Sequence, residues 1–178
     1  MFSKILVSID NSQMSTQVFE QAVFLAKCSG ASLMLLHVLF PSDEVDEEYI
    51  EPLFIAELQT EAYHKNLKNW AELKQSRENW LRSLCDSANS SGAKTEFILN
   101  TGEPSRMICE VARSWDAELI VIGRRGHRGL SEFFLGSVSN YVLHHAPCSV
   151  MTIQAPTFST TETSQNLNSY SDSATLFL

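Results

Sequence analysis

The chain has 178 residues, near one domain plus an appendage, and its 44% hydrophobic and 19% charged residues are those of an ordinary globular protein. Twenty-one Asp and Glu against thirteen Lys and Arg leave a formal charge of -8. That balance argues against a general binder of nucleic acid or anionic membrane, whose affinity rests on neutralising phosphate, whereas a small phosphorylated ligand needs only a local pocket.

Met1 to Ile9 carries a single Lys4 and an apolar run, Ile5 to Ile9, that Asp10 cuts short. This is too brief for the core of a signal peptide or a membrane span, so a soluble, cytoplasmic protein is expected. Cys28, Cys85, Cys109 and Cys148 are widely spaced, with no CxxC and no histidines at zinc-ligand intervals. Reduced thiols fit them better than a disulfide framework or a structural metal site.

Five apolar segments of strand length follow one another: Ile5 to Ile9, Leu33 to Val38, Thr95 to Leu99, Leu119 to Ile122 and Ser149 to Ile153. Helical spacing fills the gaps, with Val18, Ala22, Leu25 and Ala26 in the first and Met107, Ile108, Val111 and Ala112 in the third. Strand and helix alternate, which predicts an α/β fold with a parallel sheet and helices on both faces.

The second crossover, about residues 40–92, is long. Asp43 to Glu51 holds six acidic residues, and no Lys or Arg occurs between Lys27 and Lys65. Tyr63, Leu67, Trp70, Leu73, Trp80, Leu81, Leu84 and Ala88 then recur at helical steps. The reading is an acidic loop, either solvated or a docking segment, followed by a long amphipathic helix with room for one break near Lys74 to Arg77. From Thr157 onward ten of the last twenty-two residues are Ser or Thr and none is basic. Residues 156–178 are therefore expected to be a disordered tail, leaving 1–155 as the domain.

In an open doubly wound sheet a ligand binds beyond the carboxyl ends of the strands, where the strand order reverses. Order 3-2-1-4-5 puts that crevice between strands 1 and 4, beside Asp10 to Ser12 and Gly123 to Gly126. Order 2-1-3-4-5 puts it between strands 1 and 3, beside Asn100 to Gly102; the residues after strand 4 discriminate in favour of the first. After strand 4 come Gly123, Arg124, Arg125, Gly126, His127, Arg128 and Gly129, and later Gly136, Ser137, Val138, Ser139 and Asn140 at an expected helix start. Two glycines three apart permit close backbone approach to a ligand, and a helix start offers unpaired N–H groups and a favourable dipole end for phosphate. Three of the thirteen basic residues fall within Arg124 to Arg128, a local positive patch.

The segment Gly-x2-Gly-x9-Gly-Ser resembles the nucleotide motif of ATP-binding universal stress proteins. Further parts are similar to that family: Lys4 to Asp10, Leu36-His37-Val38, Gly102-Glu103-Pro104, Asp116 to Gly123, and Ala146 to Val150. The resemblance spans about Met1 to Gln154. It implies a single five-stranded sheet of order 3-2-1-4-5, ATP between strands 1 and 4, and a homodimer through strand 5. It places Asp10 at the adenine and ribose side, the Val38 backbone at adenine and Ile122 near sugar or base. Gly123, Arg125 and Gly126 would line the ribose and phosphate turn, and Gly136, Ser137, Val138 and Ser139 would hold the phosphates. A divalent ion, Mg or Mn, could accompany them. Two departures stand out: Asn11-Ser12 follows Asp10 where Gly or Pro is frequent, and Arg124-Arg125 is more basic than usual.

A GxxxxGK[ST] loop, a GxGxxG after strand 1, and the HIGH and SGGxDS signatures are all missing from the chain. Hydrolysis needs a positioned water or base near the γ-phosphate. His127 has no visible partner, and His144 and His145 are expected near the end of helix 4. The expected function is an ATP-dependent regulatory or stress-response module. The alternatives are a weak ATPase or a protein autophosphorylating at Ser137 or Ser139, and a nucleotide-independent interaction module using the acidic loop and long helix.

Overall fold

The computed structural model describes residues 1–40, 61–124 and 135–154, with backbone alone at 61–66. The expected acidic loop, Arg125, Gly126, His127 and the tail lie outside these residues. The elements follow in the order β1 (Lys4–Ser8), α1 (Met14–Ser29), β2 (Ser32–Leu39), α2 (Glu61–Ser90), β3 (Thr95–Thr101), α3 (Pro104–Ser114), β4 (Leu119–Gly123), α4 (Ser137–His145) and β5 (Ser149–Ile153). All strand pairs are parallel, and the sheet order is β3-β2-β1-β4-β5. The crevice of this fold therefore lies between β1 and β4, the position that the residues after strand 4 favour.

Side chains of successive strand residues point to opposite faces, and the central strands are apolar on both. Ile5, Val7, Ile9, Leu33, Leu35, Leu119 and Val121 face α1 and α2, while Leu6, Leu36, Val38, Ile120 and Ile122 face α3 and α4. The sheet is thus a buried middle layer between two helical ones. Gly30, left-handed at φ 71°, stops α1 at no steric cost, and its N–H bonds back to the Ala26 carbonyl. Among the described residues no helix is long and apolar enough to cross a membrane.

Helix α2 runs unbroken through Lys74 to Arg77, where the sequence leaves room for a break. Its apolar stripe divides in two. Leu81, Cys85 and Ala88 are buried against the sheet, but Leu67 is 49% exposed. The reason is length: thirty helical residues span about 45 Å, nearly twice an eight-residue strand at ~26 Å. Bonds from Cys85 Sγ to the Thr95 carbonyl (3.1 Å) and from the Asn89 amide to the same oxygen (2.9 Å) fix the end of α2 at the start of β3. The first half of α2 therefore overhangs the carboxyl ends of the strands.

Leu81→Ala is expected to cost about 2–5 kcal/mol of unfolding free energy in a denaturant titration, as a fully buried leucine does. Leu67→Ala should stay within about 0.5 kcal/mol of the parent.

Candidate functional site

Beyond the carboxyl ends of β1 and β4 lies a cleft of about 330 Å³, within the size range of small-molecule sites. Asp10, Val38, Ile122, Gly123, Gly136, Ser137, Val138 and Ser139, the expected site residues that are described, all line it.

The α4 wall is built around one backbone carbonyl. Arg124 O accepts the Gly136 N–H and the Ser139 hydroxyl, both at 2.9 Å. The first intrahelical bond of α4 is Asn140 N–H to Gly136 O, also 2.9 Å. Of the four N–H groups that a helix start leaves without internal partners, Gly136 has spent its own on Arg124. Those of Ser137, Val138 and Ser139 remain, and no described side chain caps them. The Ser139 hydroxyl, expected to meet phosphate, is instead committed to the carbonyls of Arg124 and Gly136. Its side chain holds the turn, while its N–H belongs to the open helix end. The Arg124 side chain reaches the other way, to Gln154 Oε1.

The β1 wall is an Asx turn. Asp10 Oδ1 accepts the Ser12 N–H (3.0 Å), the Ser12 hydroxyl and the Ser15 hydroxyl (2.7 Å), while Asp10 N–H donates to Ser15 Oγ (2.9 Å). These bonds fix the carboxylate through Oδ1 at the edge of the cleft. Asn11-Ser12 thus makes by side-chain bonding the turn that Gly or Pro would make by backbone preference.

The β2 wall exposes backbone. The Ile9 N–H donates to Leu36 O (3.0 Å), which marks the even-numbered residues of β2 as facing β1. The β1 ladder stops at the pair Ser8 with Leu36. Val38, two residues on, faces the same way with no strand opposite among the described residues, so its N–H and C=O open onto the cleft.

His37, Leu73, Arg77 and Glu103 are among the lining residues that were not singled out as site residues from the sequence. His37 is buried, donates from Nδ1 to the Ile9 carbonyl (2.8 Å) and meets the Trp80 ring edge-on at 5.5 Å. Leu73 and Arg77 bring α2 to the cleft. Glu103 caps α3: Oε1 accepts the Ser105 N–H (3.1 Å) and Oε2 the Arg106 N–H (2.9 Å). Burial opposes its charge, but the Ser105 hydroxyl and these N–H groups outweigh it and hold the carboxyl below the usual carboxylate range. A signal for Arg77 was present: it stands four residues after Leu73 and four before Leu81, in phase with the buried stripe. His144 and His145 end α4 as expected. His145 stacks on Tyr141 with ring centroids 4.0 Å apart.

A model of the universal stress protein family matches residues 1–154. The chain belongs to the universal stress protein family. It is 38% identical over 154 residues to the universal stress protein Sll1388 of Synechocystis, covering 86% of this chain and 98% of that one. The universal stress protein UspA of Lactobacillus plantarum superposes with a TM-score of 0.67 at 25% identity, over 85% of this chain and 97% of that one. A family member from Arabidopsis thaliana, solved with AMP bound, superposes at 0.55 with 19% identity, over 90% and 97% of the two chains. The sheet order and helix placement of this universal stress protein are those of the family's α/β fold.

The carboxyl of Glu103 sits lower in the folded state, so its contribution to stability is present above the unfolded pKa and is lost as pH falls through the folded value. Glu103→Gln should therefore lower the unfolding free energy by about 0.5–1 kcal/mol near pH 7, the scale of a helix cap. The gap between the two proteins should close in acid. A gap that persists below the folded pKa would show that charge is not what the cap uses.

Proposed function

We propose that this universal stress protein binds ATP in the β1/β4 cleft and acts as a nucleotide-dependent regulatory module. The observation that carries the reading is the start of α4, where three successive backbone N–H groups and the positive end of the helix dipole face a cleft of ligand size. A phosphate chain would satisfy those donors without requiring net positive charge elsewhere. Val38 offers one backbone donor and one acceptor to the edge of adenine, and the Asp10 carboxylate offers an acceptor to a ribose hydroxyl. Arg125 and Gly126 would complete the phosphate turn, Gly123 would line the ribose, and Ile122 would pack against sugar or base. The AMP held by the Arabidopsis relative supports an adenine nucleotide as the ligand class.

Among the described residues no group of three or more His, Cys, Asp and Glu could hold a metal ion. A Mg or Mn ion would therefore enter with the phosphates. Bound ATP acts on partners only through differential affinity for two arrangements of the cleft. The protein works in the cytoplasm as a homodimer across β5, which among the described residues is an edge strand paired with β4 alone and leaves Met151 37% exposed. Autophosphorylation at Ser139 is disfavoured, since its hydroxyl is buried and bonded to two carbonyls.

Denaturing the freshly purified protein should release adenine nucleotide detectable by mass spectrometry. Stripped protein titrated with ATP should gain about 2.7 kcal/mol of stability at 100 times the dissociation constant. No released nucleotide and no saturable gain, with or without magnesium, would overturn the reading.

Ser137→Pro is a sharper test. Proline is tolerated at the first helical position and requires extended backbone before it, which Gly136 already has at ψ 154°. The substitution removes one N–H and leaves the helix. ATP affinity should fall about tenfold, the scale of one charge-assisted hydrogen bond, while Ser137→Ala, which keeps the N–H, should lose less.

A further inference from the structure

The cleft has two ends. The α4 start stands over β4, and the open backbone of Val38 belongs to β2, two strand spacings or about 10 Å away. A nucleotide whose phosphates meet Ser137 to Ser139 therefore has its base at the β2 end. The side group on that end comes from α2, whose rotation is set by contacts already described. His37 donates to the Ile9 carbonyl, and the Trp80 ring packs on His37. Leu81 is fully buried beside it. With those positions turned inward, Arg77, three and four residues earlier, lies on the same face one turn higher, at the level of the carboxyl ends of the strands. It is half-buried, and it is the only lysine or arginine among the described residues lining the cleft.

We propose that Arg77 is a base-reading residue: its guanidinium contacts the purine of the bound nucleotide, with Leu73 as the apolar wall above it. The proposal rests on the nucleotide reading given above. A guanidinium suits that place because it is planar, stays charged, stacks on an aromatic face and donates to ring nitrogens. An acidic protein that positions its phosphate end by backbone N–H groups has a reason to spend a cation at the other end, where the electron-rich base lies near the Val38 backbone, His37 and Phe40. The long α2 is then part of the site as well as a cover for the sheet, since an overhanging helix is what brings residues 73 and 77 over the cleft.

The test is calorimetric titration of the full chain with ATP, AMP and adenosine, for the parent protein, Arg77→Met and Arg77→Lys. The methionine variant should weaken all three ligands by a similar factor, about tenfold, the scale of one stacking contact. Lysine, which keeps the charge and loses the plane, should recover only part of it. All titrations are made at a temperature where the unliganded variants are fully folded by circular dichroism, which separates the lost base contact from any change in stability. A loss that grows from adenosine to ATP would assign Arg77 to the phosphates and overturn the proposal, as would unchanged affinities. Failure of the parent protein to bind any of the three would overturn the nucleotide reading and this proposal together.

Discussion

One backbone carbonyl, that of Arg124 at the end of β4, decides what the α4 end of the cleft can do. By accepting both the Gly136 N–H and the Ser139 hydroxyl it seats the start of α4 at the carboxyl end of the sheet. The same lock determines which donors are spent and which stay available. Gly136 and the Ser139 side chain hold the turn, and the N–H groups of residues 137–139 are left facing outward. Were Gly136 free and one of those three consumed instead, the helix end would point elsewhere and the cleft would lose its donor row. The edge strand is tied to the same place, because the Arg124 N–H donates to Ile153 O at 2.7 Å.

The sheet supplies the second half of the arrangement by ending unevenly. β1 stops pairing at Ser8, whereas β2 continues with β3 to Leu39, so among the described residues a short length of β2 backbone stands unpaired on one side. Uncompensated backbone groups at a ligand-sized cleft are donors and acceptors awaiting partners, since buried polar groups that lack them are costly. The net charge of -8 is compatible with an anionic ligand because attraction here comes from oriented dipoles at short range.

The strands were legible because each is an apolar run bounded by turn residues, and α4 was legible from Gly136-Ser137 followed by Val138 and Val142. Neighbour relations were less so. Periodicity reports that Leu33 and Leu35 are buried but not whether β3 or β4 lies beside β1, and the observed order was favoured only by the ligand-type residues that follow β4. The polar run Lys74-Gln75-Ser76-Arg77 suggested a break in α2 because an apolar stripe lapses there. The physical cause is different: above Trp80 the helix has passed the end of the sheet, so its inward face meets the cleft and tolerates Arg77. Likewise Leu67 fits the stripe but has no sheet beneath it. Ser139 lines the cleft, and the part played by its hydroxyl was not visible in the sequence, because that depends on where the Arg124 carbonyl lies in space.

The account is tested most directly by following backbone amide resonances of the full chain as ATP is added. It predicts that the amides of Ser137, Val138, Ser139 and Val38 shift together and saturate at one affinity, while those of Phe24 and Ser91, at a separate shallow groove between α1 and α2, stay in place. Shifts confined to that groove, or no shift at the α4 start while ATP binds, would contradict it.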